Sequence, residues 1–136
     1  MKLEDQVLTI DQVRELQELG FDVEKHASMC WVKYTSDEEP YKETYSLTVL
    51  DENCYEMYCL SPIPTLTIGD IIDILPDYVE SLYKSKYYLS VGNIFVDYYS
   101  FQHHKPFIRI MIKQQNLIDA LFEMLKWWIT GKNIVL

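Results

Sequence analysis

The apolar residues Ile10, Val13, Leu16 and Leu19 recur at helical spacing, and Thr9 with Gln12 three positions later carries the start signal of a capping box. This predicts a first helix over 10–19, ended by Gly20. Leu66-Thr67-Ile68-Gly69-Asp70 opens a second helix in the same way, with Ile68, Ile71, Ile72 and Leu75 apolar until Pro76 ends it. Two good N-caps account for the shared Leu-Thr-Ile openings, since few later positions match at that offset. Asn116 caps a third helix over 117–130 that stops at Gly131. Its polar residues Asp119, Glu123, Lys126 and Thr130 form one narrow stripe, which leaves most of the cylinder apolar. Leu117, Leu121, Met124, Leu125 and Trp128 are expected to face a sheet.

Between the helices the period changes to two. A strand is expected over 29–35, with its inward face open to either assignment. Tyr45, Leu47 and Val49 alternate with polar residues, Asp51-Glu52-Asn53 reverses the chain, and Tyr55, Met57 and Cys59 alternate in turn. A hairpin with Val49 opposite Tyr55 puts nearly every strong apolar residue on one face. The segments 36–43 and 61–65 read as loops. In the second half, a turn at Gly92-Asn93 sets Val91 opposite Ile94, Leu89 opposite Val96 and Tyr87 opposite Tyr98. A turn centred on His103 sets Ile94 opposite Ile112, Val96 opposite Ile110 and Tyr98 opposite Ile108. Both turns select the same core face.

The opposite face of that second sheet is unusual. It carries Tyr88, Phe95, Tyr99, Phe107 and Met111 around Asp97 and Arg109, which this register places directly across from each other as a cross-strand ion pair. A sheet covered on one side by helices ordinarily presents polar residues on the other. Either further helices cover this face or something binds it. A contiguous aromatic surface with Arg at its centre has the composition of a protein interface core.

The 136 residues are 49% hydrophobic and 14% aromatic, with 11 Tyr, which describes one domain over 1–136 with a core that needs neither disulfides nor a structural metal. Net charge is −9 but unevenly divided: residues 1–80 hold 5 Lys or Arg against 18 Asp or Glu, and residues 81–136 hold 7 against 3. The acidic part argues against generic binding to nucleic acid, so no direct nucleic-acid contact is expected. No apolar run reaches the roughly 18 to 20 residues of a spanning helix, and the start of the sequence lacks the pattern of a signal peptide, so no membrane association and a cytoplasmic location are expected. The odd count of three cysteines agrees with a reducing compartment.

Catalytic and metal chemistry finds little support. Cys54 and Cys59 on one strand would point to opposite faces about 16 Å apart and cannot share a metal. Cys30 reads as a buried thiol, and His103 and His104 as solvated loop residues. Phosphate-cradling glycine loops, nucleophile elbows and paired-histidine zinc motifs are absent, and there are only 4 Gly. Asp119 and Glu123 share a helical face, yet they sit on the solubilising stripe rather than in a cleft. No catalytic residue, cofactor or metal is therefore expected.

The segments Pro64-Thr65-Leu66-Thr67-Ile68-Gly69-Asp70-Ile71-Ile72-Asp73-Ile74-Leu75-Pro76 and Asn116-Leu117-Ile118-Asp119-Ala120-Leu121-Phe122-Glu123-Met124-Leu125-Lys126-Trp127 resemble a group of small uncharacterised proteins of phage and mobile-element origin in gut bacteria. With the first helix and the Tyr-Tyr-Leu strand at 87–89, the resemblance spans most of the length. It implies an intracellular accessory protein and supplies no catalytic or ligand residues to carry over. The expectation is an α+β fold, a mainly antiparallel sheet of five or six strands with three helices packed mostly on one face, in the order α-βββ-α-βββ-α. Its function is expected to be non-enzymatic binding of a protein partner, or self-association, through Tyr88, Phe95, Asp97, Tyr99, Phe107, Arg109 and Met111. The alternatives are an acidic nucleic-acid mimic that inhibits a DNA-binding protein, and a small enzyme.

Overall fold

The computed structural model describes residues 2–35, 43–51, 62–80, 84–102 and 105–131, with the backbone alone at 34–35, 43, 101–102 and 105–109. The chain forms two compact units, Met1–Asp70 and Ile71–Leu136. Its class is α+β, with three α-helices, one 3-10 turn (Leu3–Gln6) and seven strands in two antiparallel sheets among the described residues. Where one sheet of five or six strands was expected, the strands divide three and four.

In the first unit, helix α1 (Ile10–Glu18) begins at the expected capping box. The Thr9 hydroxyl accepts from the Gln12 N–H at 3.2 Å while the Thr9 N–H donates to Gln12 Oε1 at 3.0 Å. Val13 and Leu16 are buried, as an amphipathic face one turn apart requires. The sheet has the order β2-β1-β3, from β1 (Met29–Thr35), β2 (Glu43–Val49) and β3 (Ile63–Thr65), and α1 packs against β3. Strand β3 falls where a loop was expected. Its Pro64 lacks an N–H and is tolerated at the edge position that β3 holds among the described strands, where it pairs with β1. Just beyond it, the Leu8 N–H donates to the Leu66 carbonyl at 3.0 Å, and the Leu8 carbonyl accepts from the Thr65 hydroxyl at 2.8 Å and from Trp31 Nε1 at 3.0 Å. Three hydrogen bonds thus tie the N-terminal segment to the sheet.

The register of β1 and β2 settles the face that alternation left open, and it reverses the expectation for β2. Cys30 and Val32 are buried, and opposite them on β2 stand Thr48 and Ser46. Tyr45, Leu47 and Val49 pair with Lys33, Trp31 and Met29 on the other face, where Val49 is 59% exposed. Alternation identifies which residues share a face but not which face is inside. The partner expected for β2, Tyr55 to Cys59, lies outside the described residues, as do Cys54, His103 and His104.

Helix α2 (Ile68–Ile74) starts at Thr67, whose hydroxyl accepts from the Asp70 N–H at 3.0 Å. Asp70 Oδ2 in turn accepts from the Thr67 N–H at 3.0 Å, from the Ser28 N–H at 3.1 Å and from the Ser28 hydroxyl at 2.7 Å. One carboxylate therefore closes a helix cap and holds a residue 42 positions away in sequence. Among the described residues no helix is long and apolar enough to cross a membrane.

In the second unit, β4 (Tyr78–Glu80), β5 (Lys86–Val91), β6 (Phe95–Gln102) and β7 (Lys105–Lys113) form an antiparallel sheet in sequence order. Helix α3 (Leu117–Ile129) packs on β6 and β7. Asn116 Oδ1 caps it by accepting from the Asp119 N–H at 3.0 Å, and Gly131 takes φ +75° just past its end, a left-handed conformation that glycine adopts without penalty. Ile118, Ala120, Leu121, Phe122, Met124 and Leu125 are buried, a wider apolar arc than the expected set, whereas Leu117 and Trp128 remain half-buried. Across the sheet, Val96 and Tyr98 are fully buried, and the Tyr98 ring lies 6.0 Å from that of Trp127. The expected core face of β6 is thus the one turned to α3.

Candidate functional site

The face of the second sheet turned away from α3 is built by the two-residue repeat of its strands. Register places Tyr78, Tyr88 and Tyr99 in one cross-strand row, and Ser90, Asp97 and Met111 in the next. Phe95 and Lys113 form a third. Tyr78 is 40% exposed, Tyr88 50% and Met111 49%, so large apolar side chains lie open along this face. The Tyr78 and Tyr88 rings are 5.9 Å apart, and the Lys86 ammonium lies 4.7 Å from the centre of the Tyr78 ring, a cation–π geometry.

The hairpin of β5 and β6, and that of β6 and β7 as far as Tyr98, differ from expectation by two residues. Val91 pairs with Val96 and Leu89 with Tyr98, and the Gly92 N–H donates to the Phe95 carbonyl at 2.8 Å, so Asn93-Ile94 is the turn rather than Gly92-Asn93. The choice follows from the Phe95 ring, which occupies the space that a Cβ on residue 92 would need. Only glycine at 92 leaves the ring there. A shift of two preserves every face assignment, which is why Tyr88, Phe95, Asp97 and Tyr99 still share a side.

Between β6 and β7 the same shift has a chemical consequence. Val96 pairs with Ile112, Asp97 with Met111 and Tyr98 with Ile110, and then the register slips so that Tyr99 pairs with Ile108. Arg109 is the extra residue of this β-bulge and does not stand across from Asp97, so the expected directly opposed ion pair is replaced by an Asp97–Met111 pairing. Past the bulge the register differs from expectation by one, so Phe107, expected on the aromatic face, stands opposite Ser100, in the row of Val96 and Tyr98 that is turned to α3, and Ile108 takes the place opposite Tyr99. The structure describes only the backbone of Phe107 and Arg109.

Asp97, expected as one half of an ion pair with Arg109, has a different setting, opposite Met111. Asp97 is only 6% exposed, and its Oδ1 is buried without a hydrogen-bond partner among the described residues. Burial pushes the carboxyl's pKa above its ordinary range, and a hydrogen bond from the Ser90 hydroxyl lowers it by less. A buried carboxylate with a free acceptor atom is costly in a fold, because the water it loses is not replaced. Beside it, Asn93, Ile94, Phe95, Met111 and Lys113 line an open groove of about 480 Å³. A signal for this site was present in the sequence: one acid at the centre of a run of aromatic strand positions.

Among the described residues no three His, Cys, Asp or Glu side chains are grouped so as to hold a metal ion. Comparison with protein-family models, with curated proteins and with solved structures finds no match for this chain.

Proposed function

We propose that this protein is a non-enzymatic accessory protein, of the phage and mobile-element type that its sequence resembles, which binds a protein partner or a second copy of itself through the aromatic face of its second sheet. The observation that carries this reading is the exposure of Tyr78, Tyr88 and Met111 on the face turned away from α3. Interface cores are enriched in aromatic residues and Met, and such side chains left in water cost free energy that association recovers. The test is affinity capture of the tagged protein from native-host lysate, with identification of bound proteins and native mass of the complex. Tyr88→Asp and Met111→Asp, each checked for an unchanged fold by circular dichroism, should abolish a stoichiometric complex that the original chain forms. An unchanged complex would move the interface elsewhere.

A second reading, an acidic mimic of nucleic acid that occupies a DNA-binding protein, is favoured by the first unit, where Glu4, Asp5, Asp11, Glu15, Glu18, Asp22 and Glu24 are all exposed. Ionic strength separates the two. A mimic's affinity falls steeply with salt, whereas an aromatic interface loses little.

A further inference from the structure

Resting on the aromatic-face reading, we infer that Asp97 is the receptor for a basic side chain of the protein partner, an Arg or Lys that enters beside Met111 and pairs with the free carboxylate oxygen. Three observations point the same way. First, Asp97 Oδ1 is buried and has no hydrogen-bond partner among the described residues, so beyond the Ser90 bond to the carboxyl the described structure offers nothing that offsets the desolvation of this oxygen. A cationic donor restores what burial removed and forms the stronger, charge-assisted kind of hydrogen bond.

Second, the side chains that flank Asp97 suit a cation with an apolar stem. Tyr99 and Phe95 lie two positions away on the same strand, and Tyr88 and Met111 stand on the neighbouring strands. Aromatic faces attract cations, and this face already holds one in that manner, with the Lys86 ammonium on Tyr78. Third, access lies through the least rigid member of the ring. Met111 is directly opposite Asp97, half-exposed, and shared with the open groove of Ile94, Phe95 and Lys113, and an unbranched thioether side chain moves aside at little cost.

The probe is N-acetyl-arginine methylamide, with N-acetyl-norleucine methylamide as the uncharged control, titrated into the full chain by heteronuclear NMR. The arginine compound should shift the Tyr88, Asp97 and Met111 resonances saturably, and Asp97→Asn should weaken it by about tenfold or more, the scale of a lost charge-assisted contact. Asp97→Asn should also weaken the captured partner complex. Equal shifts from norleucine, or no saturable shift from arginine, would overturn the inference. Arginine binding that appears only in Arg109→Met would overturn it as well, by assigning the site to the chain's own residue. If Tyr88→Asp abolishes the complex and Asp97→Asn leaves it intact, the face remains the interface and this inference alone fails.

Discussion

The hydroxyl of Tyr98 donates a 2.8 Å hydrogen bond to the main-chain carbonyl of Pro76, from the centre of β6 to the residue that follows α2 and its buried Leu75. Tyr98 is fully buried and its ring meets Trp127, so the side chain joins α3, the sheet and the 75–77 turn at one point. Tyr98→Phe keeps the ring and removes only the donor. It should cost about 1 kcal/mol in urea unfolding at pH 7, the usual net worth of such a bond. Burial, and then the negative charge of Asp77, raise the pKa of this phenol above its ordinary value. The unfolded chain therefore ionises first, and the stability that Tyr98 contributes is present below about pH 10 and lost as pH rises beyond it. The gap between the original chain and Tyr98→Phe should narrow on titration from pH 9 to 11, and a constant gap would show that the hydroxyl is not shielded.

Asp97 has the opposite leverage at neutral pH. Its folded-state pKa is raised by burial, so the native state holds its proton longer than the unfolded chain does. Stability falls as pH rises from about 3.9, the unfolded value, through the raised folded one. Asp97→Asn removes the ionisation and retains an oxygen to accept from Ser90. Its Tm should exceed that of the original chain at pH 7, with the difference closing toward pH 4. A variant that melts lower at pH 7 would mean that the ionised carboxylate has a favourable partner in the unliganded protein.

Asp70 couples a local cap to a residue far away in sequence, Ser28, just ahead of β1. Its Oδ2 serves the Thr67 N–H and both donors of Ser28. Asp70→Ala should cost about 1 to 3 kcal/mol, above the typical ~1 kcal/mol of an N-cap alone, because the Ser28 groups also lose their acceptor. Thr9→Ala, which opens the capping box of α1 without any distant tie, should cost less. Equal losses in the two variants would show that the Ser28 bonds add nothing to the cap.

The helices were legible because their determinants are close in sequence. Thr9 with Gln12, Thr67 with Asp70 and Asn116 with Asp119 satisfy free N–H groups within one turn, and those contacts form wherever the turn forms. Strand β1 and the hairpin strands β5, β6 and β7 were legible from alternation and turn residues, and so was the grouping of Tyr88, Phe95, Asp97 and Tyr99 on one side. The short strands β3 and β4 were not, because Ile63-Pro64-Thr65 and Tyr78-Val79-Glu80 are too short to show a pattern of their own and are strands through pairing with β1 and β5.

What the chain's residue order determined by itself was the α+β class, the helix starts and the alternation along β1, β2, β5, β6 and the part of β7 beyond its bulge. Parity repeats every two residues, so it is blind to a slide by two and to which side of the sheet is buried. Only the tertiary structure decided those: the Phe95 ring over Gly92 moved the turn to Asn93-Ile94, the bulge at Arg109 put Met111 opposite Asp97, and burial of Cys30 and Val32 turned Tyr45 and Val49 outward. The first is a contact three residues apart that alternation does not encode, and the other two depend on pairing between strands, where no local preference reaches; the buried carboxylate of Asp97 opposite Met111 is the product of one such pairing.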